Sequence, residues 1–552
     1  MQVMAAEQAG LRALLFNKDN AMNALTLSSF VFFTGLVAVI TWWLTRRDDT
    51  QHSAGYFLAG RSLTFPIIAG SLLMTNLSTE QMVGLNGAAF TDGLSVMAWE
   101  VVAVVSLVAM AMFFLPRFLK SGITTLPELL ALRFDRTTQL LANMIFMLAY
   151  AIILLPSILY SGALGLMGVL DLRALTGIDS QMVLLTGTVI VVGIAGAIYA
   201  LFGGLRSIAI SDTLNGIGLL IGGMIIVYFG LDRVSDGNGI LAGWDIIRET
   251  HPEKLNSLGS DDQSVPISTL FTGVLLLNMF YWCTNQQIIQ RTFAAKTLAE
   301  GQKGVLLTGT LKLLGPLYLV LPGIIAFQLY SGDGIKADAA YGRLVFDVLP
   351  APLTGFFAAA MVGAILSSFN SALNSTATLF SLDVYKARIN RDATDAQVVK
   401  ISKWAGWIMA ASAMVIAPLL ATQESLFVYV QKVNSIYYIP LLSVIVVGLI
   451  SKRVPAIAAN LALVLGCLII GLFYFVPSLA DMVEAVHNFH FIAIVLVVLI
   501  AMMMVIGKLA PRAEPWIQKD VGAIDMTPWA GTRVASVVLL ILVMAIYLAF
   551  AG

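Results

Sequence analysis

The chain has 552 residues, 59% of them in the hydrophobic set and only 12% charged, and its 32 basic and 32 acidic side chains balance to a formal net charge of zero. Soluble globular proteins carry about 25% charged residues, so this composition excludes a soluble globular domain and indicates a polytopic membrane protein. The balanced charge gives no general electrostatic pull on nucleic acid. The two cysteines, Cys283 and Cys467, both fall in apolar stretches and read as buried thiols rather than a disulfide or a metal pair.

Residues 1–24 precede the first apolar span, lack a cleavage pattern behind a proper apolar core, and do not read as a signal peptide. They are expected to form an extracytoplasmic N-terminal extension. Fourteen apolar stretches of spanning length follow, at about 25–45, 64–88, 94–116, 138–168, 182–202, 206–230, 267–290, 303–330, 352–384, 399–420, 424–450, 455–476, 489–507 and 534–551. The stretches at 138–168 and 352–384 are longer than a bilayer is thick and must tilt or kink, the first with Pro156 as a reason. Most of the 32 Lys and Arg, among them Arg117, Lys120, Arg133, Lys386, Arg388 and Lys400, fall on one side of the membrane in this scheme. The positive-inside rule makes that side cytoplasmic and puts both termini outside. The long loops at about 231–266 and 331–351 then lie outside, the first rich in Asp and Glu and reading as a solvated acidic surface. His52, His251, His487 and His490 lie outside the spans, and no carboxylate or cysteine cluster makes the last two a metal site.

Two spans are interrupted by polar residues. The second carries Thr75-Asn76-Leu77-Ser78-Thr79-Glu80-Gln81, and the seventh carries Asn278-Met279-Phe280-Tyr281-Trp282-Cys283-Thr284-Asn285-Gln286-Gln287. Polar groups at bilayer depth persist only against protein or beside a water-filled cavity. Each interrupted span opens a group of five helices, with opposite orientations, which is the pointer to an inverted repeat with a site between its halves. Asn278 and Tyr281 are assigned to that site. Thr284 to Gln287 also read as a hydrogen-bonded seam between helices.

Charges isolated within spans come next: Glu100, Asp212 and Lys312. A charge at that depth costs at least about 2.5–3.5 kcal/mol on insertion scales, so Lys312 is expected to neutralise Glu80 or Glu100, and such a pair can be purely structural. A polyhydroxylated ligand needs paired donors and acceptors and an aromatic face. Gln81, Glu100, Asn278, Lys312 and Gln431 supply the former and Tyr281 the latter. In the ninth span Ser367, Ser371, Asn374, Ser375 and Thr378 share one helical face. The hydroxyls of Ser367 and Ser368, the carbonyl of Ala364 and carbonyls freed where the second span unwinds make a set of oxygens suited to a hard monovalent cation. Packing glue between helices is the other reading of that face.

Four segments then carry a resemblance: Tyr56-Phe57-Leu58-Ala59-Gly60-Arg61; Asn76-Leu77-Ser78-Thr79-Glu80-Gln81; Phe280 to Gln286 with Gln290-Arg291-Thr292; and Leu373-Asn374-Ser375-Thr376-Ala377-Thr378-Leu379-Phe380. From about Gly55 to the last span the chain resembles the sodium/solute symporters, in particular their sodium/glucose cotransporter branch and its bacterial sugar-transporter-like members. The resemblance implies an all-α polytopic membrane protein of fourteen transmembrane helices with a five-plus-five inverted-repeat core of the LeuT type. The repeats fall at 64–230 and 267–450, with a peripheral first span at 25–45 and three peripheral spans at 455–551. It implies a substrate site at Asn76, Gln81, Glu100, Asn278, Lys312 and Gln431, with Tyr281 stacking as an inner gate. It implies a sodium site of carbonyls of Met74, Leu77 and Ala364 and hydroxyls of Ser367 and Ser368, an ion-release role for Asp212, and an outer gate of Leu85, Trp99 and Phe427.

Leu154 and Ala103 stand where a galactose-transporting relative has asparagine and serine, and Asn285 replaces an aspartate of animal members. The expected function is symport of a glucose- or galactose-like monosaccharide with co-transported sodium, by alternating access, in the bacterial inner membrane. The expected partners are the sugar, sodium and lipid, with no nucleic acid and no obligatory protein partner. The alternatives are symport of an organic acid, amino acid or polyol, and a solute-sensing membrane protein, against which no soluble output domain is evident. No nucleophile–base pair, phosphate-cradling loop or metal cluster suggests an enzyme.

Overall fold

The computed structural model describes residues 2–48, 50–170, 172–422 and 426–551, without the side chains of residues 2–23, 79–80, 168–169, 174–175, 422 and 426–428. Among the described residues every regular element is helical, apart from isolated bridges pairing Leu63 with Ala295 and Thr297 with Asp525. Among the described residues eleven helices are long and apolar enough to cross a membrane, or up to 12 if Leu298–Lys312 and Pro316–Asp333, bent by 45° against each other, form one span.

The expected count of fourteen is not reproduced as fourteen such helices, for local physical reasons. The stretches expected at 182–202 and 206–230 run together as one 54-residue helix, Gln181–Val234, whose one non-helical residue is Gly204 at φ 65°, ψ 180°. That backbone conformation is open essentially to glycine alone. A straight helix of that length would reach about 80 Å, against a hydrocarbon core of about 30 Å. The second expected stretch is instead divided. Its first part, Phe65–Asn76, is a 12-residue helix, and its second part is continuous with the third stretch in Gln81–Ser121. The over-long stretches are accommodated by wider helical turns: a π-helical turn at Tyr150–Leu154 just before Pro156, and another at Leu379–Ile389.

The elements that build the centre are α1 (Ala24–Thr45), α2 (Phe65–Asn76), α3 (Thr79–Asp92), α4 (Gln181–Val234), α5 (Leu275–Thr284), α6 (Gln286–Phe293), α7 (Leu298–Lys312), α8 (Ala351–Thr378) and α9 (Leu426–Ile450). α8 is the central post. It packs on α4 along much of its length and carries α1 on another face, while α2 lies against both α4 and α7. α1 is pinned by hydrogen bonds from Thr26 Oγ1 to the Ala351 carbonyl at 3.1 Å and from Ser29 Oγ to the Pro352 carbonyl at 2.7 Å. Of the helices that follow α9, Ala456–Phe475 and Asn488–Leu509 pack against α9 and each other, whereas Thr532–Ala549 packs on α7 and on Ala103–Ala109. Large apolar side chains remain exposed on them, as on α1 and α4, which suits helices whose outer faces meet lipid.

Candidate solute and cation site

The first break is two residues wide. α2 ends at Asn76, Leu77 leaves the helix at φ −74°, ψ 64°, and Ser78 sits extended at φ −75°, ψ 164° before α3 begins. Ser78 is the N-cap of the new helix, and its hydroxyl accepts from the Gln81 amide at 3.2 Å. The break also frees carbonyls. The Ser78 amide, which would pair the Met74 carbonyl in a continuous helix, donates to the Asn76 carbonyl at 2.8 Å. The Gln81 amide, which would pair the Leu77 carbonyl, goes to the Ser78 side chain. Met74 and Leu77 therefore each lose the helical partner of their carbonyl oxygen.

The second break is one residue wide and built the same way. Asn285, at φ −77°, ψ 118°, separates α5 from α6 and caps α6 by accepting from the Gln287 amide at 3.3 Å. Tyr150 Oη donates to Asn285 Oδ1 and accepts from the Gln287 amide at 3.2 Å. Gln286 extends sideways, its Oε1 accepting from the Leu126 amide at 2.7 Å.

Both breaks open on one partly open cavity, with about 700 Å³ of empty space when the adjoining open solvent is included. Thr75, Asn76, Ser78 and Gln81 come from the first break, and Leu277, Asn278, Tyr281 and Gln287 from the second. Ser368 of α8, Gln431, Asn434 and Tyr438 of α9, and Trp99, Leu154 and Ile158 complete the wall. Behind it lies a buried ion pair. Lys312 Nζ is 2.6 Å from both carboxylate oxygens of Glu100, and the two side chains are 1% and 0% exposed. Gly315 makes the room, since a Cβ there would stand 2.7 Å from Glu100 Oε2. The pair holds two wall residues in place: Lys312 also donates to Asn76 Oδ1, and Gln81 Nε2 donates to Glu100 Oε1 at 2.9 Å. Of the partners expected for Lys312, Glu100 is the one found; the Glu80 side chain lies outside the described residues.

Next to the first break, α8 brings up its hydroxyl face. Ser368 Oγ donates to the Thr75 carbonyl at 3.1 Å, and Thr75 Oγ1 lies 3.3 Å from Ser371 Oγ. Ser367 Oγ is buried without a hydrogen-bond partner. Ser367 lines a second cavity beside Ser211, Asn215 and Asn370, while Ser368 stands at the first break. Hydroxyl and carbonyl oxygens are the donors a sodium ion accepts as cargo. α8 is continuous at Ala364, so the carbonyl there is not freed by any break. Further along, the same face is packing: Ser375 Oγ donates to Gln290 Oε1 at 2.8 Å, and Gln290 Nε2 reaches the Phe57 carbonyl and Thr378.

Asp212 is not isolated. Its Oδ2 accepts from Ser71 Oγ at 2.7 Å and lies 3.5 Å from Arg291 Nη2, with both charged side chains 1% exposed. Arg291 also donates to Ser71, to Ser371 and to the Gln287 carbonyl.

The structure thus places Asn76, Gln81, Trp99, Asn278, Tyr281, Gln431 and Ser368 on the cavity wall, with Glu100 and Lys312 one layer behind. Leu85 is fully buried in α3. Trp99 stacks edge to face on Phe489, with centroids 5.9 Å apart. The Phe427 side chain falls outside the described residues. Leu154, noted above as a departure from a galactose-transporting relative, lines the cavity, and so do residues that the sequence did not single out as site residues: Thr75, Ser78, Ile158, Leu277, Gln287, Asn434 and Tyr438. Gln287 was legible as a polar residue at a break but was grouped with the helix seam. Asn434 and Tyr438 carried no signal beyond their polarity within an apolar run. Among the described residues no group of three metal-ligating His, Cys, Asp or Glu side chains occurs.

The model of the sodium:solute symporter family matches residues 56–466. The chain belongs to that family. It is 45% identical over 536 residues to the uncharacterized symporter YidK of Escherichia coli (strain K12), covering 95% of this chain and 91% of the relative. It is 30% identical over 473 residues to the sodium/glucose cotransporter of Vibrio parahaemolyticus, covering 81% and 84%. Among solved structures, a Na+-coupled sialic acid symporter in a substrate-bound outward-open state superposes with a TM-score of 0.72 at 19% identity, over 90% of this chain and 99% of that one. That likeness shows the fold. This family member is an integral membrane protein and a sodium-coupled solute symporter, and its family and fold are those of transporters rather than enzymes.

Proposed function

We propose that this symporter carries a neutral monosaccharide of the glucose or galactose kind into the cell, coupled to sodium, by alternating access. The observation that carries the reading is the amide-rich cavity shared by both helix breaks. Side-chain amides and hydroxyls suit the paired donors and acceptors of a sugar, and Tyr281 and Trp99 offer aromatic faces to its C–H surface. The nearby buried cations are committed, Lys312 to Glu100 and Arg291 to Asp212, which disfavours a carboxylate substrate. The sodium/glucose cotransporter among the relatives supports the same class.

Sodium is assigned to the carbonyls of Met74, Leu77 and Ala364 and the hydroxyls of Ser367 and Ser368, with Asp212 on its path of release. Tyr281 is the inner gate, and Trp99, Leu85 and Phe427 the outer one. The frame is fourteen crossings with a five-plus-five inverted repeat, which the kink at Gly204 and the two capped breaks favour. Both termini face outward from the bacterial inner membrane, in keeping with the Lys and Arg asymmetry.

One charge moving down about 100 mV supplies roughly 2.3 kcal/mol, and a tenfold sodium gradient adds about 1.4. Together these support several-hundred-fold accumulation, on the order of 1.4 kcal/mol per factor of ten. Proteoliposomes given labelled D-glucose or D-galactose are expected to accumulate it above equilibrium only under an inward sodium gradient. Equal uptake with potassium in place of sodium contradicts the coupling, and no uptake of either sugar contradicts the substrate class.

A further inference from the structure

Most amides on the cavity wall are already engaged. Asn76 Oδ1 accepts from Lys312, Gln81 Nε2 donates to Glu100, Asn278 bonds the Val274 carbonyl and Trp282 Nε1, and Asn434 Oδ1 accepts from Tyr437 Oη. Gln287 differs. It lines the cavity and is 2% exposed, yet its Oε1 has no hydrogen-bond partner. Its backbone, in contrast, is fixed from three sides: the amide donates to Tyr150 Oη and Asn285 Oδ1, and the carbonyl accepts from Arg291. A buried acceptor left unpaired is costly, and in native structures such an atom commonly marks a ligand or water position. The terminal torsion of glutamine is broad, so the amide turns toward the cavity without moving the backbone.

We propose that Gln287 is a specificity-determining solute contact whose side-chain oxygen accepts a hydrogen bond from one hydroxyl of the substrate. This rests on the neutral-sugar reading above. Because Arg291 ties the Gln287 carbonyl to Ser71, Ser371 and Asp212, the contact also joins the solute to the residues beside the cation site.

The test uses the full-length purified protein in sodium. Thermal unfolding ranks D-glucose, D-galactose, myo-inositol, L-lactate and L-proline by apparent affinity. The strongest binder is then measured on Gln287→Met and Gln287→Leu, each checked for stabilisation by sodium alone. Both variants are expected to bind it about tenfold more weakly while keeping the response to sodium, the scale of one lost hydrogen bond. For a sugar, the deoxy and deoxyfluoro analogues at one position are expected to be equally weak on wild type, since neither donates. That penalty should vanish in the variants. Parent affinity within about twofold of wild type in a variant that still responds to sodium, the loss being too small for a hydrogen bond, overturns the inference. So does a deoxy penalty that persists undiminished. If neither variant retains the sodium response, the wild type decides, and a deoxyfluoro series in which every analogue matches its parent overturns the inference. If lactate or proline is the strongest binder, the sugar reading fails by itself, and the two variants still decide whether Gln287 touches the solute.

Discussion

At the scale of single residues, the Lys312–Glu100 pair illustrates how a buried charge is tolerated near a polar cavity. Neither side chain meets solvent, and each orients a wall amide. Removing one partner leaves the other uncompensated, at a cost of about 3–5 kcal/mol, whereas replacing both with groups of similar volume is close to neutral. Lys312→Met is therefore expected to lower the thermal unfolding midpoint sharply, and Glu100→Gln combined with Lys312→Met to recover most of the loss without recovering solute affinity, because Asn76 and Gln81 lose their anchors. If the double variant is as unstable as the single, the pair is not an isolated unit. Ser368 and Gln81 allow the proposed cation and solute sites to be told apart. Ser368→Ala should raise the sodium concentration needed for half-maximal uptake severalfold with little change in solute affinity, and Gln81→Ala should do the reverse. Uptake titrated in each ligand checks this, and identical behaviour of the two variants contradicts the assignment of separate sites.

At the scale of elements, each broken span restarts on a capping side chain, Ser78 for α3 and Asn285 for α6. Ser78→Ala is expected to cost about 1 kcal/mol and Ser78→Gly only a few tenths. Hydrogen exchange at the Gln81 amide, which the Ser78 hydroxyl receives, reads that difference directly. These breaks were legible in the sequence because an apolar run has no use for Thr75-Asn76-Leu77-Ser78 unless backbone or cavity is exposed there. The hydroxyl face of α8 was legible as a periodicity, but not its division into a part beside the break and a part bonded to Gln290. Other features depended on distance in space. Arg291 stands just past the seventh apolar stretch in the sequence, yet it is buried on Asp212, a residue far away along the chain. The sequence separates 182–202 from 206–230, and the structure puts the kink at Gly204 in that gap, but helix continues on both sides of it, so the two stretches count as one helix.

At the scale of the whole molecule, α8 and the two breaks bring the oxygens proposed for sodium beside the wall of the proposed solute cavity. Thr75 belongs to both, lining the cavity while its carbonyl receives Ser368 Oγ. Sodium binding is then expected to fix the first break in the form that presents Asn76 and Gln81, and solute binding to hold the same form. Two ligands that favour one conformation strengthen each other by the same factor, whichever is added first. The most direct measurement is a pair of equilibrium titrations on the purified protein: the transported sugar at low and saturating sodium, and sodium with and without that sugar. Coupling is expected to tighten both affinities by an equal factor, on the order of 5–150-fold. A sugar affinity that is unchanged when sodium is replaced by potassium contradicts the account.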